Sequence, residues 1–157
     1  MQRFLDAEPL TAAAFAPFGA VIEARDETSV PINQGYTTRF HALATAETGA
    51  DGQAILSLFR ARPRPPQLAM LERHPLGTQA FVPLGGRPWL VVVASAPSGD
   101  ACRAFLASGD QGVQYAVGTW HHPLLAVEPQ DFLVVDRAGP GENLEKAALP
   151  EPVTLRW

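Results

Sequence analysis

Fifteen prolines and thirteen glycines punctuate a chain of 157 residues, with the prolines running from Pro9 to Pro152. Proline fixes φ and has no backbone donor, so it breaks helices and marks turns. Average proline use is about 5%, roughly half of what this chain carries. Long helices are therefore excluded almost everywhere, and the chain is expected to fold as many short strands joined by turns. The hydrophobic share of 46% supports a real core, and a chain of this length buries roughly two thirds of its unfolded surface. One domain, residues 1–157, is expected.

The strands are read between the breaks. Residues 10–16 (LTAAAFA) form one short helix, with Thr11 as N-cap and Pro17 as its stop. AVIEA (20–24), RFHALA (39–44), AILSLFRAR (54–62), LAMLERH (68–74), TQAFVPL (78–84) and WLVVVASA (89–96) follow as strands, and residues 25–38 as a polar loop. RAFLA (103–107), VQYAV (113–117), WHHPLLAVE (120–128), DFLVVD (131–136) and VTLRW (153–157) complete eleven segments, of which RFHALA alternates only weakly, and give nine or ten strands. So many short strands imply a closed barrel or sandwich. WLVVVASA is apolar on both faces and should be the most buried.

Charge and composition exclude other classes. Twelve basic and sixteen acidic residues leave a net charge of −4, the wrong sign for a nucleic-acid partner. The longest apolar run, Trp89 to Ala94, is far below the ~20 residues of a membrane span. MQRFLDAEPL has no cationic-then-apolar leader pattern. Cys102 stands alone, which excludes an internal disulfide and suits a reducing compartment. A cytoplasmic protein is expected.

Polar groups gather at alternate positions of strands. Glu72 and His74 share a face of LAMLERH, and Arg60 and Arg62 share a face of SLFRAR. His121 and His122 are adjacent, so only one of them should face inward. Each alone has a bland reading: charged residues at strand ends are usually solvated. Their joint spacing resembles the cupin family, small jelly-roll barrels. Glu72-x-His74, four residues, Gln79, six residues and Gly86 follow the first cupin motif, His-x-His, spacer, Glu, spacer, Gly. Ala116-x-Gly118, two residues and His121 follow the end of the second. Glu72 replaces the first motif histidine and Gln79 the motif glutamate.

A closer resemblance runs through MLERHPLGTQAFVPLGGRPWLVVVA, RAFLASGDQGVQY, GTWHHPLLAV, DFLVVDRAGPGEN, NQGYTTRFH and FRARPR. These strings look like the ureidoglycolate lyase family, over essentially the whole chain. The resemblance implies an all-β cupin-type jelly-roll barrel with a short N-terminal helix. It implies a homodimer that cleaves (S)-ureidoglycolate to glyoxylate and urea in allantoin (purine) catabolism. A metal-dependent cupin oxygenase or isomerase, or a small-anion-binding cupin, is the alternative.

The implied chemistry assigns the residues. Glu72, His74 and His121 are the expected catalytic groups, with Glu72 as acid and His121 as a proton carrier near neutrality. Arg60 or Arg62, with Arg39 behind them, is expected to clamp the small carboxylate substrate. Gln79 and Asn33 would read the urea amide. Trp120, beside His121, could cap the pocket. No cofactor is established. A divalent ion, nickel or manganese, would sit on Glu72, His74, Gln79 and His121. Trp89, Phe81 and Phe132 are expected in the core. GGRP and GPGEN are expected as turns, and Asp136-Arg137 as an ion pair.

Overall fold

The computed structural model describes residues 2–157. In chain order it has β1 (Arg3–Pro9), α1 (Ala12–Phe15), β2 (Gly19–Ile22), β3 (Ser29–Ile32), β4 (Thr37–Phe40), β5 (Gln53–Ala61), β6 (Gln67–Arg73) and β7 (Gln79–Pro83). Then come β8 (Trp89–Ala94), β9 (Cys102–Ala107), β10 (Gly112–Tyr115), β11 (Trp120–His121), β12 (Leu125–Ala126), β13 (Gln130–Ala138) and β14 (Glu145–Arg156). The protein is all-β, as expected, with more strands than the nine or ten read from the sequence.

The single turn of α1 shows how local chemistry sets an element. The Thr11 hydroxyl accepts from the Ala14 amide at 3.2 Å and caps the first turn. Pro17 follows at once and stops it. Phe15 is fully buried and anchors that turn against Phe105, ring centroids 5.7 Å apart.

The strands form a five-stranded antiparallel sheet, β2-β10-β7-β13-β5, and a larger mixed sheet. In the latter, β11 pairs with both β6 and β8, so β6, β14, β1, β9, β8 and β11 close into a ring. Two cores result. One lies between the sheets and holds Phe15, Phe81, Trp89, Val91, Val93, Tyr115 and Phe132. The other is lined by the opposite faces of the same ring strands and holds Leu68, Leu71, Leu90, Val92, Cys102 and Val153. Every residue of β8 is buried because both of its faces meet a core. Trp89, Phe81 and Phe132 sit where the sequence placed them.

Three expectations are corrected. β1 was not foreseen: its alternation is weak, and its partners β14 and β9, both parallel to it, are remote in sequence. The loop expected over 25–38 contains β3 and the start of β4, a separate two-stranded hairpin. The strand expected over 120–128 is split into β11 and β12, because Pro123 has no donor for a ladder.

Candidate active site at the mouth of the sandwich

Strand register brings the polar groups together. Glu72 on β6 lies opposite His121 on β11, and His121 lies opposite Val93 on β8. Opposed residues point to one side, and Val93 belongs to the core between the sheets. Glu72 and His121 therefore cap that core rather than face solvent. His74, two residues beyond Glu72, continues the same face.

A turn delivers His121. The Gly118 amide donates to the His74 carbonyl at 2.9 Å, and Gly118 has φ of +76°, a left-handed conformation that glycine adopts without strain. This is the physical content of the Gly-x-x-His spacing.

Glu72, His74 and His121 each offer a ligand atom within 4.8 Å of the other two. His74 Nε2 lies 3.8 Å from Glu72 Oε2, and the two imidazole centroids are 5.2 Å apart. His74 Nδ1 lies 2.9 Å from the Asn143 carbonyl, and His121 Nδ1 lies 3.0 Å from the Thr119 carbonyl. A carbonyl only accepts, so both Nδ1 atoms carry a proton, and in a neutral ring that leaves the lone pair on Nε2. His74 Nε2 is buried with no hydrogen-bond partner. A buried orphaned lone pair beside a second imidazole and a carboxylate fits a divalent first-row cation, with the two carbonyls as outer-shell support.

Neighbouring strands complete the cluster. The Tyr115 ring stacks on His121 at 4.1 Å and 11°. Burial first, and then the Glu72 charge, push the Tyr115 phenol above its ordinary value. Gln79 lies opposite Tyr115 on β7, and its Nε2 donates to Asp136 Oδ2 at 3.1 Å. Burial pulls His121 down to about 3, against the raising effect of the Thr119 carbonyl. His121 is thus a neutral imidazole near neutrality, unlike the proton carrier the sequence suggested.

The remaining expected residues lie elsewhere. Arg60 faces outward, opposite Asp131, and is ion-paired to it at 3.0 Å. Asp131 is five residues along β13 from Asp136, about 17 Å at the usual strand rise. Arg62 lines the same open cleft as Arg60. Asn33 and Arg39 belong to the exposed β3–β4 hairpin, where Asn33 donates to the Thr37 hydroxyl at 3.2 Å. Trp120 points away from the cluster, with the Arg73 guanidinium 4.7 Å above its ring. The structure therefore joins Glu72, His74, His121 and Gln79 and leaves Asn33, Arg39, Arg60, Arg62 and Trp120 apart.

Two local expectations change. His122 is buried as completely as His121, at 3% against 2% exposed, because cores cover both faces of the strands here. Its Nδ1 donates to the Pro123 carbonyl at 2.8 Å, and burial lowers its proton affinity too. Asp136 and Arg137 do not pair: Arg137 turns to the Thr48 and Pro140 carbonyls, both at 2.8 Å. Sequence reasoning missed Tyr115 and Asn143 as site groups. Only register and loop closure put them there.

An all-β barrel with two histidines and a glutamate gathered at one strand-turn mouth defines a cupin-type protein. The family model for ureidoglycolate lyase matches residues 2–156, and the chain belongs to that family. A ureidoglycolate lyase of Burkholderia mallei is 55% identical over 157 residues, covering 96% of this chain and 92% of that one. Ureidoglycolate lyases of Rhizobium etli and Pseudomonas syringae pv. syringae are 52% and 53% identical, covering 99% and 98% of this chain and 98% and 94% of theirs. Among solved structures, a Bacillus subtilis oxalate decarboxylase aligns with 71% of this chain and 31% of its own, at TM-score 0.39 and 9% identity. A likeness that loose transfers nothing.

Proposed function

We propose that the protein is a ureidoglycolate lyase, cleaving (S)-ureidoglycolate to glyoxylate and urea in allantoin catabolism. The carrying observation is the convergence of Glu72, His74 and His121 within 4.8 Å, in a chain that matches the family from end to end.

Cleavage converts the carbinol C–O–H to a carbonyl while the C–N bond breaks and its electron pair stays on nitrogen. One proton leaves oxygen and one is gained by nitrogen, so a single carrier suffices. Glu72, the one carboxylate of the three, takes the hydroxyl proton and returns it to the departing urea nitrogen. Positioned proton transfer of this kind contributes ~10²–10⁴-fold. His121, kept neutral by burial, and His74 turn their Nε2 atoms toward the Glu72 carboxylate's side of the cluster and orient the hydroxyl. A divalent ion such as nickel or manganese on Glu72, His74 and His121 would supply a Lewis acid to that oxygen.

The same reading includes a homodimer. β5 ends the five-stranded sheet with one side unpaired, and Leu56 and Leu58 on it are 73% and 67% exposed. An apolar open edge of this length invites a second copy. A cytoplasmic setting is supported by Cys102, which is buried and unpaired. No helix is long and apolar enough to cross a membrane among the described residues.

The test is glyoxylate release from racemic ureidoglycolate, with and without chelator. Half the substrate should yield glyoxylate and urea in equal amounts. No glyoxylate from folded protein supplied with nickel or manganese would overturn the reading.

A further inference from the structure

The proposed reaction leaves Asp136, the partner of Gln79, without a role. It lies on the inward face of β13 with Phe132 and Val134, two positions apart in each step. Its neighbour Arg137 turns to backbone carbonyls, and Asp136 makes no ion pair among the described residues. A half-buried carboxylate without a cation of its own is costly unless hydrogen-bond donors meet it. What it holds is the Gln79 amide, at 3.1 Å.

That bond dictates an orientation. An ionised carboxylate only accepts, so the amide must present its NH₂ end to Asp136. The Gln79 oxygen is then forced to the other side. It accepts from no donor of the chain among the described residues, and it is not among the buried atoms lacking a partner. Gln79 itself is buried at 7% exposed, beside the Tyr115 ring that stacks on His121. That leaves an amide oxygen without a partner of the chain on a residue beside the Tyr115–His121 stack.

Resting on the lyase reading above, we propose that Asp136 is a positioning residue that aims the Gln79 oxygen at the terminal NH₂ of the substrate's ureido group. The Asp136–Gln79 pair thereby selects ureido compounds over carbinolamides that lack a terminal N–H. Asn at 136 breaks the device with almost no change of shape, because its amide can pair with either end of Gln79 and no longer specifies one.

The probe is N-acetyl-α-hydroxyglycine, in which methyl replaces the terminal amino group. The same C–N cleavage gives glyoxylate and acetamide. A site built around a buried acceptor rejects such an analogue strongly, so wild-type kcat/KM should favour ureidoglycolate by about 10²-fold. In Asp136→Asn, kcat/KM for ureidoglycolate should fall about tenfold, mostly through KM, while the analogue changes less than about threefold. Gln79→Leu should lose the discrimination outright, and adding Asp136→Asn to it should change nothing further. Equal losses on both substrates in Asp136→Asn, or an undiminished preference, would overturn the proposal. So would a loss of nickel affinity by calorimetry alongside equal losses, which would put the Gln79 oxygen on the cation. If Asp136→Asn does not fold, Asp136→Ser is read against the same outcomes. Wild-type glyoxylate release reports separately on the lyase reading.

Discussion

β13 carries two aspartates with opposite fates. Asp131 lies on the outer face, opposite Arg60, and shares a two-pronged ion pair with it at 3.0 and 3.2 Å. Arg60 holds the Asp131 carboxyl below its usual range. Asp136, five residues on, lies on the inner face and holds a neutral amide instead. An odd offset along a strand reverses the face, and the face decides the partner. On its inner face the mouth end of β13 thus presents an acidic group to a neutral amide, while the far end displays Arg60 to water. Arg60 and Arg62, which share a strand face as their spacing predicts, lie apart from the Glu72–His74–His121 cluster.

The largest expected effect tests that division. His121→Ala should lower kcat on ureidoglycolate by ~10²-fold or more. His122→Ala should stay within a few fold and show its cost in the melting temperature. Arg60→Ala and Arg62→Ala should leave kcat/KM within about twofold, since neither reaches the cluster. A tenfold rise in KM for either arginine variant would break the comparison and mean that the far end binds substrate, whether in this copy or in a neighbouring one.

Next comes acid sensitivity. Native His121 is held near 3, whereas the unfolded chain titrates near 6.5. Between those values the unfolded state binds the extra proton, so stability rises with pH there. His121 therefore costs nothing above about 6.5, and its penalty grows as pH falls toward about 3. Urea midpoints from pH 7 to pH 4, measured with chelator, should drop more steeply in wild type than in His121→Asn. Parallel slopes would show that the imidazole is hydrated rather than enclosed.

A smaller effect sharpens the account of the mouth. Gln79→Glu restores the cupin motif residue but sets a second carboxylate against Asp136. The two must share a proton or repel. The metal-free variant should melt about 5 °C below wild type at pH 8 and recover much of the loss at pH 5. A pH-independent difference would mean that the two side chains move apart. The smallest effect belongs to the far end: Asp131→Ala should leave the melting temperature nearly unchanged, because exposed ion pairs contribute little. A shift of several degrees in differential scanning calorimetry would show that the pair is enclosed by a second copy.

Much of the fold is legible in the sequence. Proline and glycine breaks placed β5 through β10 and β13 to within a residue or two. Three features escaped: β1 pairs with partners far along the chain, Pro123 lacks a ladder donor, and β3 is a short, largely exposed strand with Pro31 inside it. The Glu72, His74 and His121 spacing pointed correctly to one cluster, because period-2 alternation survives folding. Tyr115 and Asp136 carry no such mark. Tyr115 becomes a site residue only through its stack on His121, and Asp136 only through the β13–β7 register. Arg60 and Arg62 do share a face, but alternation cannot say which face is covered.

The ring of six strands has a consequence for how the protein is made. β1 pairs with β14 at Arg3–Val153 and with β9 at Ala7–Ala104, contacts between residues 150 and 97 positions apart. Glu72 rides on β6, which leans on β14, His74 follows directly after it, and His121 rides on a two-residue strand held between β6 and β8. Such distant closures are entropically slow. During synthesis the mouth cannot assemble piecemeal: β6 waits exposed for β14 while more than seventy residues are added. The protein should therefore gain its active centre in a single late step, and the rate of that step, more than the final stability, should govern its yield at elevated temperature.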